Sequence, residues 1–382
     1  MKAFCLNNIS KVALATLGNG DTIVEDINDA DSILVRSAEM HDMKLNKNIL
    51  AVARAGAGVN NIPLADYAQE GVVVFNTPGA NANAVKELVL AGLLLASRDI
   101  IGGNKWVCDN KDNANVGKDA EKAKKAFAGN EIYGKKIAVL GLGAIGILVA
   151  NACVDLGMKV VGYDPYLSIK NALMLNKKVQ FVEKLNDAVR DVDFITVHVP
   201  AMDATKGMLN KEVFLNASKG VVVLDFARDT LVNEADLLDA LKSGQVKKFV
   251  TDFANANVVN FPNTIVLPHL GASTDEAEDN CALMAVSQLK DYIENGNIKN
   301  SVNFPTVDAG KKSEAVRVCI NHKNLPGIIA QFTNHVSKQN ANIVTLLSQS
   351  KGDFAYTLMD IDKAIDAKEI ANIDGVLRVR VI

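Results

Sequence analysis

Lys136-Ile-Ala-Val-Leu140 is a short apolar run of strand formers, and Gly141-Leu142-Gly143-Ala144-Ile145-Gly146 follows it at once. Ile147 to Leu156 reads as a helix and Lys159 to Gly162 as a second strand, with Asp164 at its end. Strand, glycine turn, helix, strand and terminal acid is the order that dinucleotide binding requires. Gly141 permits the turn, Gly143 lets backbone approach a pyrophosphate, and Gly146 lets helix and strand pack closely. The helix N-terminus offers free N–H groups and a partial positive charge to phosphates, and Ala144 and Ile145 of the turn count with the glycines as cofactor-binding residues. Asp164 can accept hydrogen bonds from ribose hydroxyls, and its charge disfavours a 2′-phosphate. The expected cofactor is therefore NAD rather than NADP.

The chain of 382 residues is long enough for two or three domains. Its 41 Lys+Arg against 44 Asp+Glu leave a net charge of −3, which argues against a nucleic-acid or membrane-surface protein. The start, Met1-Lys-Ala-Phe-Cys-Leu6, is cut short by Asn7 and Asn8; it reads as a first strand rather than a signal peptide. No apolar run is long enough to span a bilayer. Cys5, Cys108, Cys153, Cys281 and Cys319 are odd in number and show no paired spacing. They read as reduced thiols of a cytoplasmic protein, with no metal site.

Residues 1 to 98 alternate strand and helix patterns, with strands at 33–35, 49–53 and 72–75 and a long apolar helix over 82–97. Arg54-Ala-Gly56-Ala57-Gly58-Val59 follows a strand. Its small residues leave N–H groups open to a carboxylate, with Arg54 as a clamp; a plain tight turn with a solvated arginine explains it equally well. Asn76-Thr77-Pro78-Gly79 is similarly open between turn and site. Arg36 ends a strand in the same half and can face the same cleft or solvent. The Lys-rich stretch 104–130 reads as a solvated connecting face, its later part helical.

From Lys136 to Pro268 strands are expected at 136–140, 159–163, 179–182, 193–199, 221–225, 247–252 and 264–267, with helices between. This predicts a doubly wound parallel sheet with ligands beyond the carboxyl ends of its strands. His198-Val199-Pro200, Phe226-Ala227-Arg228, Asp252 and His269-Leu-Gly271-Ala272 all follow strands, which favours one shared cleft. A helix over 275–295 and a polar linker over 297–308 lead to a last region. There strands near 316–321, 343–348, 354–361 and 377–382, with two helices, predict an antiparallel α+β domain.

Arg54 to Val59, Phe75 to Pro78, Gly141 to Gly146, Tyr163-Asp-Pro165, Val197 to Pro200, Ala227-Arg228, Asn233-Glu-Ala235 and Pro268 to Thr274 together resemble the D-2-hydroxyacid dehydrogenase family. Within it they resemble the branch that acts on 3-phospho-D-glycerate and carries a C-terminal ACT domain. The resemblance covers essentially the whole chain. It implies a discontinuous flavodoxin-like substrate domain (1–98 and 269–305), a Rossmann-like NAD domain (99–268) and an ACT-like regulatory domain (313–382). It further implies a homodimer or homotetramer. The implied reaction is NAD-dependent oxidation of 3-phosphoglycerate to 3-phosphohydroxypyruvate, the first step toward L-serine. His269 is then the proton shuttle on the C2 hydroxyl and Arg228 the grip on the substrate carboxylate. Arg54 and the backbone of Gly56, Ala57 and Gly58 hold an anionic end, and Arg36 belongs to the same half. Thr77, Val199, Pro200, Phe226, Ala227, Arg228, Asp252, His269, Gly271 and Ala272 line the cofactor, and His198 stands beside it without a catalytic role.

Most of the family has a glutamate five residues after the acid aligned with Asp252, where this chain has Asn257. Asparagine can orient an imidazole but cannot stabilise imidazolium by charge. The enzyme then works with a lower histidine pKa, or borrows another acid such as Asp275 or Glu276, or turns over weakly. In the last region His322, Asn324 and Asn342 match the serine-sensitive ACT pattern; a purely structural domain is the alternative. The rival functions are the same chemistry on another small D-2-hydroxy acid, and a non-catalytic NAD and amino-acid sensor on this fold.

Overall fold

The computed structural model describes every residue except Asn19 and Glu314. Its contacts group into two compact units, Met1–Asn81 with Asp275–Ile382, and Ala82–Thr274.

The first unit opens with β1 (Lys2–Cys5), β2 (Thr22–Val24), β3 (Ser32–Val35), β4 (Ala51–Arg54) and β5 (Val73–Phe75). They form a parallel sheet in the order β2-β1-β3-β4-β5. Side chains alternate across it. Ile33, Val35, Val52 and Val74 pack with Ile62 and Tyr67 on one face. Leu34, Ala53, Val73 and Phe75 meet Cys281, Ala285, Leu289 and Tyr292 on the other. Both faces being covered, the strands read as unbroken apolar runs rather than alternating ones. The edge strand β2, short and largely exposed, has no such signal and was not anticipated. The helix Asp275–Asn295 buries one stripe at helical spacing, and Asp275, Glu276 and Glu278 in its first turn complement the helix dipole.

The second unit carries β6 (Lys136–Leu140), β7 (Lys159–Tyr163), β8 (Gln180–Val182), β9 (Phe194–Val197), β10 (Val221–Asp225), β11 (Val246–Thr251) and β12 (Thr264–Val266). All are parallel, in the order β12-β11-β10-β9-β6-β7-β8. The order reverses direction beside β6, which is the doubly wound arrangement expected, with its ligand crevice at the switch point. Helix Ala82–Ser97 packs on helix Ala144–Asp155 and on β10 and β11, so it groups with this unit. That differs from the expected boundary at 98/99: Val85, Val89 and Leu93 bury against Leu224, Val250 and the β6 residues Ile137 and Val139. The stretch 104–130 therefore lies inside the second unit. It is more helical than expected, with Ile100–Asp109 and Val116–Ala123 both helices without a buried residue.

The chain ends in β13 (Val316–Lys323), β14 (Ile343–Lys351), β15 (Phe354–Ile361) and β16 (Val376–Val381), an antiparallel sheet in the order β14-β15-β13-β16. Val318, Ile320, Met359 and Ile361 bury against Ile328, Phe332 and Val336 of helix Ile328–Lys338. The residues of opposite parity, Cys319, Tyr356 and Leu358, join the core that contains Phe75 and Tyr292. The last region therefore groups with the first unit instead of standing apart. Three of its arginines reinforce the junction. Arg317 Nη1 donates to the carbonyls of Asn295 and Gly310, Arg378 Nη1 to that of Ile49, and Arg380 Nη2 to that of Tyr292. Arg317 also pairs with Asp360 through two parallel bonds of 2.6 and 2.8 Å.

Candidate active site

In the second unit the strand ends build the site. β6 runs into Gly141, whose φ of +93° and proximity to His198 both exclude a side chain: a Cβ there would lie 2.8 Å from the His198 backbone. A Cβ on Gly146 would lie 1.8 Å from the Gly141 carbonyl oxygen, so only glycine lets the helix start this close to the turn. Gly143 faces open space, and Ala144 and Ile145 begin helix Ala144–Asp155. Asp164 follows β7 and accepts the N–H groups of Leu142 (2.8 Å) and Tyr166 (2.8 Å), which fixes the acid beside the glycine turn. Val199 and Pro200 follow β9. His198 before them has Nε2 within 3.0 Å of Thr196 Oγ1 and a buried, unpartnered Nδ1. Burial pushes its pKa down to about 3, so it is neutral and suited to lining rather than proton transfer.

Phe226, Ala227 and Arg228 follow β10, with Phe226 buried and Arg228 exposed. The Arg228 guanidinium donates to the Ala227 carbonyl (2.7 Å) and stands 6.0 Å from the centre of the Phe253 ring. Asp252 follows β11 and is buried. Its Oδ2 accepts the Gly271 N–H (2.9 Å), its carbonyl accepts the His269 N–H (2.8 Å), and its Oδ1 has no partner. Burial raises its pKa, against the pull of the Gly271 N–H and of His269 and Arg228. His269 follows β12 in the left-handed region (φ 49°), with its ring 4.9 Å from that of Phe253. Ala272 comes directly after Gly271 in this turn.

Asn257 does not orient His269 in this structure. Its Nδ2 donates to Glu234 Oε2 (2.8 Å), and Asn255 Nδ2 donates to Glu234 Oε1 (2.8 Å). An acid does serve this loop, but it is Glu234 at the start of helix Glu234–Ser243 and not Asp275 or Glu276. Glu234 belongs to the Asn233-Glu-Ala235 motif, whose sequence alone does not point to this contact. Asp225 and Phe253 were missed outright, although a carboxylate ending the wholly buried β10 carries the same signal as Asp252.

In the first unit the ends of β3, β4 and β5 bring Arg36, the Arg54–Gly58 loop and Thr77 together. Arg54 Nε donates to the Arg36 carbonyl (2.9 Å) and Nη1 to the Gly58 carbonyl. Gly56 has a φ of +158° and its carbonyl accepts the Thr77 N–H (3.1 Å), joining the two loops; Ala57 receives the Asn76 side chain on its carbonyl (2.7 Å). Arg36 is half-exposed and paired with Glu278. In the last sheet His322 is buried, with Nδ1 on the Lys323 carbonyl (2.8 Å) and Nε2 on Thr357 Oγ1 (2.9 Å). Both ring nitrogens are taken, so His322 as placed has none free for an effector. Asn324 and Asn342 are exposed. Among the described residues no group of three or more His, Cys, Asp or Glu is arranged for a metal.

The residues of the second unit fit a nicotinamide dinucleotide. The two glycines form a cradle that a Cβ would fill, Asp164 is anchored beside it, and Asp252 Oδ1 is a buried acceptor without a donor. Residues 90–271 match the NAD-binding domain of the D-isomer specific 2-hydroxyacid dehydrogenases. A D-3-phosphoglycerate dehydrogenase of Haemophilus influenzae is 30% identical over 383 residues, covering 95% of this chain and 89% of that protein. One from Methanocaldococcus jannaschii is 30% identical over 339 residues, covering 85% of this chain; the chain spans 62% of that relative's length. The crystal structure of NAD+-bound 3-phosphoglycerate dehydrogenase from Entamoeba histolytica superposes with a TM-score of 0.61 at 25% identity, covering 79% of this chain and 98% of that one. The chain belongs to the D-isomer specific 2-hydroxyacid dehydrogenase family.

Proposed function

We propose that the chain oxidises 3-phospho-D-glycerate to 3-phosphohydroxypyruvate with NAD, the first step toward L-serine. The observation that carries this reading is the convergence of Arg228, Asp252 and His269 at the ends of β10, β11 and β12, beside an anchored glycine turn. Bound NAD supplies the hydride acceptor. His269 takes the proton of the C2 hydroxyl as the carbonyl forms, and returns it in the reverse direction. Arg228 has a permanent charge and a planar fork, and it grips the substrate carboxylate. Asp252, with a buried acceptor oxygen, would hold the nicotinamide end of the cofactor, with Val199, Pro200 and Ala227 lining it in this unit, and Thr77 of the first unit is proposed as a cofactor residue on the family resemblance. Arg54, with the backbone of Gly56, Ala57 and Gly58, holds an anionic end of the substrate, and Arg36, whose charge is paired with Glu278, belongs to the same half.

The finer assignments have their own support. Exposed Asn324 and Asn342 offer donor and acceptor groups to an L-serine effector, and His322 acts behind them by fixing the β13 end. Helix Ile100–Asp109 has no buried residue and exposes Ile100, Ile101 and Val107, a face suited to a second copy in a homodimer or homotetramer. The cysteines are unpaired, as suits a cytoplasmic protein.

The test is NADH formation from 3-phosphoglycerate and NAD, repeated with Arg54→Ala and His269→Ala. Turnover by the parent that both substitutions abolish supports the reading. Turnover only with a 2-hydroxy acid lacking the phosphate keeps the mechanism and replaces the substrate. NADH binding without turnover on any acid supports the sensor reading, for which Asn257 is the favouring feature.

A further inference from the structure

Asp225 ends β10 and is wholly buried. Its Oδ1 accepts two backbone N–H groups, from Ala227 at 2.9 Å and from Arg228 at 3.3 Å. Its Oδ2 is buried and has no partner among the described residues. Beside it lies a cavity of about 10 Å³ lined by Asp229, Glu234, Thr251, Phe253 and Asn255. That is room for about one water at most, which excludes an organic ligand there. The carboxylate therefore has no ligand to bind. What it holds is the turn that aims Arg228. A strand end would otherwise leave those two N–H groups to solvent, and the turn would sample several conformations.

We propose that Asp225 is a positioning residue for Arg228: by tying the N–H groups of Ala227 and Arg228 to one buried oxygen, it fixes the direction in which the guanidinium meets the substrate carboxylate. The inference rests on the proposed role of Arg228. Because Arg228 itself is exposed and, among the described residues, its guanidinium bonds only the carbonyl of its own neighbour, Ala227, its aim depends on its backbone. The second oxygen makes the identity of the residue testable. Asparagine can keep the Oδ1 acceptor and turn its amide toward the cavity, where Asp229, Glu234, Thr251 and Asn255 offer acceptors. Alanine keeps neither.

The experiment compares Asp225→Ala and Asp225→Asn in the full chain by two readouts. The first is hydrogen–deuterium exchange of the 226–228 amides, which does not depend on activity. The second is the separate KM and kcat for 3-phosphoglycerate, with NADH affinity as control. Asp225→Ala is expected to raise exchange at Ala227 and Arg228 at least ten-fold and KM at least ten-fold, with NADH affinity within two-fold. Asp225→Asn is expected to restore both. Unchanged exchange in Asp225→Ala overturns the proposal, and so does raised exchange with an unchanged KM, or an alanine defect that asparagine does not rescue. Absence of turnover in the parent refutes the proposed function instead, and the exchange result still decides the positioning. If Asp225→Ala fails to fold, Asp225→Ser supplies a shorter acceptor with the same expected pattern in exchange.

Discussion

Asp225 should make the protein less stable as pH rises through the weakly acidic range, and Asp225→Asn should remove that loss. Burial raises its carboxyl pKa from 3.8 to about 7, helped by Asp252 and Asp229 and opposed by the N–H groups of Ala227 and Arg228. The folded state thus holds this proton more tightly than the unfolded chain does. Between pH 4 and pH 7 the native protein binds more protons at this group, so the stability it contributes falls as pH rises. A displacement from 3.8 to about 7 corresponds to about 4 kcal/mol, an upper bound reached above pH 7. Protonated Asp and Asn have nearly the same shape. The variant should therefore match the parent at pH 4 and exceed it by a difference that grows to pH 7 and then levels off. Thermal unfolding followed by circular dichroism at several pH values gives the comparison. A difference independent of pH would refute the reasoning, because it would mean that Asp225 is already paired in its charged form.

Three further outcomes are expected. Asn257→Glu, which supplies the family's usual acid, puts a second carboxylate where Asn257 Nδ2 now lies 2.8 Å from Glu234 Oε2; at this exposed position it should cost about 1 kcal/mol, measurable by urea denaturation and relieved by adding Glu234→Gln. Arg317→Ala leaves Asp360 without its buried bidentate partner and should cost about 3–5 kcal/mol, seen as an earlier loss of the first unit in urea. Gly146→Ala drives a methyl group into the Gly141 carbonyl and should weaken NADH binding at least ten-fold in a fluorescence titration; binding within two-fold of the parent would show that the turn relaxes at no cost.

The parts of the fold that the sequence reveals are those where one physical requirement dominates. β6, β10, β15 and the helix Asp275–Asn295 occupy the residues expected because an unbroken apolar run or a long helical stripe can form little else. β2 escaped because three exposed edge residues bury nothing. Helix Ala82–Ser97 was legible as a helix, but its apolar faces do not state which sheet they cover; Leu224 and Val250 decide that, and both are remote in sequence. The same limit applies to the last sheet. Its strand pattern was clear, yet only the tertiary arrangement shows Cys319, Tyr356 and Leu358 packing on the core of Phe75 and Tyr292. The positions of the candidate residues at strand ends were legible for the same reason as the strands, whereas the partners of the His322 ring nitrogens were not, because Thr357 and the Lys323 carbonyl depend on strand pairing and backbone geometry.

Asn257 looked in sequence like the loss of a charge. In the structure it is one part of a hydrogen-bonded set. Glu234 enters from the neighbouring helix and is held by Asn255 and Asn257, while Asp225 and Asp252 bury carboxylates at the ends of adjacent strands. A glutamate at 257 would face Glu234 directly, setting two like charges where one hydrogen bond now stands. The Glu234 carboxylate thus lies directly against the loop that precedes His269. If that arrangement matters for turnover, Asn257→Glu alone should not raise activity, because its carboxylate is added against Glu234. The double variant with Glu234→Gln should, with its pH–rate profile displaced to higher pH. Equal activity in the single and double variants would show that the two acids do not interact, and that the asparagine at 257 is independent of Glu234.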